Sequence, residues 1–377
     1  MEVGRPANEC GAPANGMRNK MNGRISRRTL LGIAAAAVPL GLHASGSVWG
    51  DESARVTKLG LVQYCCKIRR NWMRRQDSEF DLFSPLDFMK HCYAVGAGGM
   101  QANLGVMKKL EIDQLRGFAE SKGLFIEAIV NPPKEKDDLR RFEQEVITAR
   151  DAGATAIRTV IMPGRRYEQF KTLSDFRQYE QRGRRMMESA VPVIEKYKIP
   201  VGIENHKDQR VEERLALLKH LDCEWIGACV DTGNSIALLD DPYAALEAFA
   251  PYAVSVHLKD QALSSYTGGF LLGDVPLGQG SLDLTRMVNV LRRSKPKIHF
   301  SLELITRDAL KVPCLTEDYW TTLPHVTGRD LSRIMQLVRD KPARAQMISS
   351  LSEAEQLERE DENVRKSLAY AGEVLSI

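Results

Sequence analysis

The chain has 377 residues, 43% of them hydrophobic and 27% charged, with a formal net charge of +4. That balance is ordinary for a globular protein and excludes a disordered or fibrous chain, and so small a charge gives no ground for nucleic acid as a partner. The seven cysteines exclude a disulfide scaffold, since Cys65 and Cys66 are adjacent and no pair has zinc-finger spacing; no disulfide is expected.

Residues 1–50 stand apart from the rest. Arg18, Lys20, Arg24, Arg27 and Arg28 precede an apolar run, Leu30–Leu42, which is short for a bilayer span and has the charge layout of a signal peptide. Ser26-Arg27-Arg28-Thr29-Leu30-Leu31 resembles the twin-arginine export motif. Export in the folded state through that machinery, to the periplasm or beyond, is therefore expected. Ala44, Ser45 and Gly46 offer a cleavage region. The alternatives are an uncleaved anchor and a chance basic–apolar tail.

From there the chain alternates between β-rich runs and amphipathic segments, the pattern of a parallel sheet with crossover helices. Lys58–Cys65 reads as the first strand. Ser84-Pro85 opens a helix by N-cap and first-turn proline. Met100–Leu104 and Leu124–Val130 follow as strands, the latter stopped by Asn131-Pro132-Pro133. Leu139, Phe142, Val146 and Ala149 share one helical face. Ala156–Met162 is the fourth strand, and Ser174–Lys198 is a long helix with Pro192 inside it. Pro200–Glu204, Ile226–Asp231, Ala253–His257 and Lys297–Glu303 complete eight strands, with helices over Val211–Leu221, Pro242–Phe249 and Leu284–Arg293 between them.

Strict alternation of eight strands and eight helices predicts a (β/α)8 TIM barrel over residues 57–340, a fold of about 250 residues. An open α/β sheet is the runner-up, although no Gly-x-Gly-x-x-Gly follows the first strand. Gln261–Gly280 reads as a glycine-rich loop, either a lid with Phe270 stacking on a ligand or an ordered rim. Thr306–Thr327 reads as irregular, and Asp330–Arg339 as the eighth helix. Residues 341–377 form a helical extension, with a helix over Glu353–Val374 that packs either beneath the barrel or against a second subunit in a homodimer.

Four residues carry the chemistry. Glu204, Asp231, His257 and Glu303 each end an apolar strand, where a buried charge without a partner costs several kcal/mol. Three carboxylates and an imidazole converging on one divalent cation satisfy one another, and this oxygen-rich set suits Mn, Mg or Co, with Zn as a further option. The alternative is four strand ends bonded locally. In a barrel, strands five to eight would place all four along one arc of the carboxyl-terminal mouth.

Around these residues lie Gly-Ile-Glu-Asn-His (202–206), Val-Asp-Thr-Gly-Asn (230–234), Val-His-Leu-Lys-Asp (256–260) and Leu-Gly-Gln-Gly-Ser-Leu-Asp (277–283). Together they resemble the metal tetrad of the xylose isomerase-like barrels, the sugar isomerase/epimerase superfamily, over roughly residues 57–340. The resemblance implies a single divalent metal and makes Glu204 and Glu303 acid and base across a bound sugar or polyol. Proton transfer through an enediolate would give isomerisation or epimerisation. Loss of a β-hydroxyl from the same species would make the enzyme a lyase or dehydratase.

Candidate substrate-binding residues are His206, Lys259, Asn234, Arg158 and Asp260. A strand-like continuation two residues beyond Glu204 would place His206 at the same mouth, where it binds a hydroxyl, shuttles a proton or orients a ligand. Lys259, at the same spacing from His257, holds a hydroxyl, carboxylate or oxyanion, or pairs with Asp260 or a neighbouring acid. Asn234 stands where many of the family's epimerases carry histidine, which counts against a simple ketose 3-epimerase. Arg158 pairs with a ligand glutamate or serves as a structural cation, and Glu127 invites the same two readings. An abasic-site endonuclease of this fold would need more histidines than the mouth supplies. A metal-free carbohydrate-binding protein is the non-enzymatic alternative.

Overall fold

The computed structural model describes residues 57–377. Its strands are β1 (Leu59–Val62), β2 (Gly99–Ala102), β3 (Phe125–Ile129), β4 (Ala156–Thr159), β5 (Val201–Glu204), β6 (Ile226–Asp231), β7 (Ala253–Leu258), β8 (Asp260–Tyr266), β9 (Gly269–Val275), β10 (Phe300–Leu302) and β11 (Leu310–Val312). Eight of them close a parallel barrel in the order β1-β10-β7-β6-β5-β4-β3-β2. This is the expected TIM barrel. The proposed signal segment lies outside the described residues, and among those described no helix is long and apolar enough to cross a membrane.

The local grammar of the helices follows the sequence. Ser84 precedes Pro85 at the first turn of Pro85–Ala94. The Asp241 side chain caps Pro242–Phe249 by accepting from Tyr243 N and Ala244 N, satisfying donors that a helix start leaves unpaired. Pro192 sits inside the long helix Leu173–Tyr197. The six cysteines among the described residues are free thiols, all buried.

Three expectations are corrected. β1 stops at Val62, and Gln63–Cys66 is a 3₁₀ turn, because a short run buried throughout has no period to separate strand from helix. The stretch Gln261–Gly280 is not a loop. β8 and β9 pair antiparallel, and β11, from the stretch read as irregular, adds a third strand. Phe270 is wholly buried in this small sheet, so it does not stack on a substrate. At Gly269 φ is +149°, and a β-carbon there would lie 2.2 Å from the Val312 carbonyl oxygen; glycine here permits the close pairing rather than marking a loop.

The C-terminal helix Glu353–Glu373 packs against its own chain. Glu360 accepts from Ile68 N at 2.8 Å and Arg69 N at 2.7 Å, at the start of helix Lys67–Gln76. A carboxylate suits that position because helix N-termini leave backbone donors free and carry partial positive charge. Val364, Leu368 and Ala371 are buried along the same helix.

Candidate metal centre

Strand register sets the site. Asp231 and His257 are direct partners across β6 and β7, Glu204 closes β5 one strand away, and Glu303 follows β10, its N–H donating to the Leu258 carbonyl at 3.1 Å. Glu204, Asp231, His257 and Glu303 are all buried, and one ligand atom from each falls within 4.8 Å of the others. Nδ1 of His257 lies 3.7 Å from Glu204 Oε1, 3.9 Å from Asp231 Oδ2 and 3.5 Å from Glu303 Oε2. It has no hydrogen-bond partner, and Asp231 Oδ2 meets only the Lys259 ammonium, at 3.0 Å. A buried ring nitrogen left unpaired among three carboxylates is costly for the protein alone, and an N/O set of this kind fits a divalent cation.

The imidazole is oriented from beneath. His257 Nε2 lies 2.7 Å from Gln101 Oε1, and the Gln101 amide nitrogen donates to Glu127 Oε2 at 2.8 Å and to Ser255 Oγ at 3.3 Å. Because the amide nitrogen is committed to acceptors, the oxygen faces His257, so Nε2 donates to it and Nδ1 is the nitrogen turned towards the carboxylates. Such an outer partner fixes tautomer and ring direction at metal sites. Glu127 lies wholly buried, accepting also from Ser255 and Ser301; burial pushes its carboxyl up to about 7.

Cations hold the carboxylates ionised. Arg158 donates to Glu204 Oε2 through Nε at 2.7 Å and also through Nη2, while Asn234 Nδ2 donates to Glu204 Oε1 at 3.0 Å. Burial opposes the Glu204 charge, but Arg158 outweighs it and holds the carboxyl well below the usual range. Lys259 Nζ lies 2.6 Å from Glu303 Oε2 and 3.0 Å from Asp231 Oδ2. Glu303, likewise opposed by burial, is held low by Lys259. Burial lifts Asp231 to about 6 even so.

The structure thus brings Arg158, Asn234 and Lys259 to the four ligand residues. His206 and Asp260 lie differently. The chain leaves β5 at Glu204, so the strand-like continuation assumed for His206 fails; its Nδ1 bonds the Gly164 carbonyl at 3.1 Å. Burial drops its imidazole to about 3, leaving it neutral. Asp260 is corrected from substrate binder to loop anchor. Its carboxylate accepts from the backbone N–H groups of Gln261, Gly278, Gly280 and Leu282 at 2.9, 3.0, 2.8 and 3.2 Å, and it forms no pair with Lys259. A β-carbon on Gly280 would strike Asp260 Oδ1 at 2.2 Å, so the Leu-Gly-Gln-Gly-Ser-Leu-Asp motif is the wrapping around that carboxylate.

Two residues at the site escaped sequence reasoning. Gln101 is uncharged and buried in the middle of a strand run, where nothing in the sequence marks it. Lys207 follows the singled-out His206, and its Nζ donates to Asn234 Oδ1. Its loop is fastened by Arg166 N donating to the Lys207 carbonyl at 2.9 Å and by the wholly buried Asp208–Arg214 ion pair at 2.9 Å.

The family described as Xylose isomerase-like TIM barrel matches residues 90–324. The chain belongs to that family. Among its relatives, 3-oxo-isoapionate decarboxylase of Pectobacterium atrosepticum is 29% identical over 140 residues, 36% of this chain and 51% of that protein. The uncharacterised protein YihM of Escherichia coli is 29% identical over 89 residues, 24% of this chain and 27% of that protein. The matches therefore span about half of the first relative and about a quarter of the second. Among solved structures, D-psicose 3-epimerase crystallised in the presence of D-fructose superposes with a TM-score of 0.51 at 16% identity, covering 77% of this chain and 93% of that one. That likeness is one of fold.

Proposed function

We propose that this xylose isomerase-like barrel is a divalent-metal-dependent enzyme that moves a carbon-bound proton beside the carbonyl of a sugar or polyol derivative. An isomerase or epimerase is the leading form. The observation that carries the reading is the convergence of four buried ligand atoms within 4.8 Å, with His257 Nδ1 unpartnered among the carboxylates. Glu204, Asp231, His257 and Glu303 would hold the ion, with Mn, Mg or Co best suited to the oxygen-rich set and Zn a further option. A bound divalent ion supplies Lewis-acid polarisation of a carbonyl oxygen.

The residues divide the remaining work unequally. Glu303 gives one carboxylate oxygen to Lys259 and is the more open of the two glutamates, so it is placed to accept the proton. Lys259 stands ready to neutralise the negative charge that develops when the proton leaves. Glu204 has both oxygens occupied, one by Arg158 and the other by Asn234. This asymmetry favours a second reading, because inversion at carbon needs an acid or base on each face while elimination needs one base. A lyase is that second reading, one that removes water from a keto-sugar with one base, or carbon dioxide from a keto-sugar acid with a proton returned to the enolate left behind. The partial similarity to a decarboxylase supports the same direction.

The test is metal content of the purified chain after loading, together with solvent deuterium exchange at carbon for a panel of keto-sugars. Near-stoichiometric metal, and exchange abolished by Glu303→Gln, supports the reading; absence of metal with Mn, Co, Mg and Zn all offered sinks it. Water or carbon dioxide among the products decides between isomerase and lyase. Export through the twin-arginine machinery belongs to the same proposal on the strength of Ser26–Leu31. Fractionation of the producing cells tests it.

A further inference from the structure

Lys207 is a buried cation with no anion. It is 5% exposed, and its Nζ donates to Asn234 Oδ1; among the described residues it forms no ion pair. The same amide oxygen lies 3.5 Å from Lys259 Nζ, so two ammonium groups share one neutral acceptor beside the tetrad. A buried ammonium without a counter-charge costs several kcal/mol, and that cost is recovered when a ligand brings the charge.

The balance of charge points the same way. Glu204, Asp231 and Glu303 bring three negative charges and Arg158, Lys259 and Lys207 three positive ones, although Lys259 alone meets two of the carboxylates and Lys207 meets none. A divalent ion added to this set leaves two positive charges in a closed site. A neutral sugar answers neither. A monoanionic substrate answers one on binding, and the negative charge that develops as a carbon-bound proton leaves answers the other. Arg307 and Asp274, the next charges outward, pair with each other at 3.7 Å and leave the sum unchanged.

Resting on the metal-dependent reading above, we propose that Lys207, with Asn234 and Lys259, forms a subsite for a carboxylate on the substrate, so that the enzyme acts on keto-sugar acids rather than neutral sugars. Lys207 makes the charge contact, Asn234 aligns both ammonium groups, and Lys259 faces the reacting carbons between the carboxylate and Glu303.

The experiment compares 2-keto-D-gluconate with D-fructose, which differ by a carboxylate in place of a hydroxymethyl group, by calorimetric titration of the Mn-loaded full chain. The keto acid is expected to bind at least about tenfold more tightly, as a charge-assisted hydrogen bond implies, and Lys207→Met is expected to remove that preference while Mn stoichiometry holds and the unfolding midpoint does not fall. A second arm reads the subsite without a sugar. Acetate, at ionic strength matched with chloride, is expected to raise the unfolding midpoint of wild type and not of Lys207→Met. Equal binding of the two sugars, a preference that survives Lys207→Met, tighter binding of D-fructose 1-phosphate than of the keto acid, or no acetate effect would each overturn the proposal. An acetate effect that persists in chelator, in a protein that takes up no metal, would leave the subsite standing and remove the metal reading instead.

Discussion

Gln101 Oε1 sits 2.7 Å from His257 Nε2, and this bond decides which imidazole nitrogen faces the three carboxylates. Gln101 touches none of the carboxylate ligands, so its effect on the centre runs through the orientation of one ring. Gln101→Leu is expected to weaken Mn or Zn binding by about 10- to 100-fold with all four ligand residues intact, the range typical for loss of such a partner. Competition titration against a fluorescent chelator measures this. Unchanged affinity would show that the ring is held by packing alone.

Arg158 and Glu204 form an ion pair with almost no solvent access. Removing one partner strands the other, which for buried pairs costs about 3–5 kcal/mol. Arg158→Met should therefore destabilise the barrel by about that much in urea unfolding. Arg158→Met with Glu204→Gln should be less destabilised than the sum of the two single changes, since the double variant leaves no lone charge. Strict additivity would mean that Glu204 finds another partner when Arg158 is gone.

Asp260 predicts the opposite pattern, a loss of stability with the metal centre untouched. Its carboxylate gathers four backbone N–H groups, and the loop it holds leads into helix Leu284–Ser294. Asp260→Ala should cost about 2–4 kcal/mol through the unsatisfied donors, with near-stoichiometric metal still bound to the folded fraction. Loss of metal in a stably folded variant would place Asp260 at the site after all.

What the sequence made legible tracks what a repeated pattern can announce. Any one of Glu204, Asp231, His257 and Glu303 has a bland explanation as a locally bonded strand end, but four closing four successive apolar runs do not share one, and strand order brought them to one arc. Arg158 was visible as a charge inside the fourth strand. Gln101 was not, because an uncharged polar residue within a buried strand resembles any other inward-facing position. Lys207 was hidden by a wrong backbone assumption: alternation was extended past Glu204, where the chain turns, and attention fell on His206. The hairpin of β8 and β9 was missed because Gly268, Gly269 and Gly273 read as loop, although Gly269 is there to let β11 approach. Asp260 looked like a partner for Lys259 by adjacency, but Lys259 Nζ turns to Glu303 and Asp231 while backbone N–H groups take up the Asp260 carboxylate.

Glu127 carries a pH dependence whose sign can be worked out. It is fully buried, its donors Gln101, Ser255 and Ser301 are neutral, and burial raises its carboxyl to about 7. The folded chain therefore keeps a proton that the unfolded chain releases in the ordinary carboxylate range. Folding is favoured below that range, and the advantage fades as pH rises through about 7, because above it the folded state must carry the charge or pay to hold the proton. Glu127→Gln keeps the shape and cannot ionise. With chelator present throughout, the unfolding free energy of wild type should fall relative to Glu127→Gln between about pH 5 and about pH 8. A constant difference across that window would mean that Glu127 is ionised in the fold at all these pH values. The charge set of the mouth would then hold one more negative charge than the lysine argument allows.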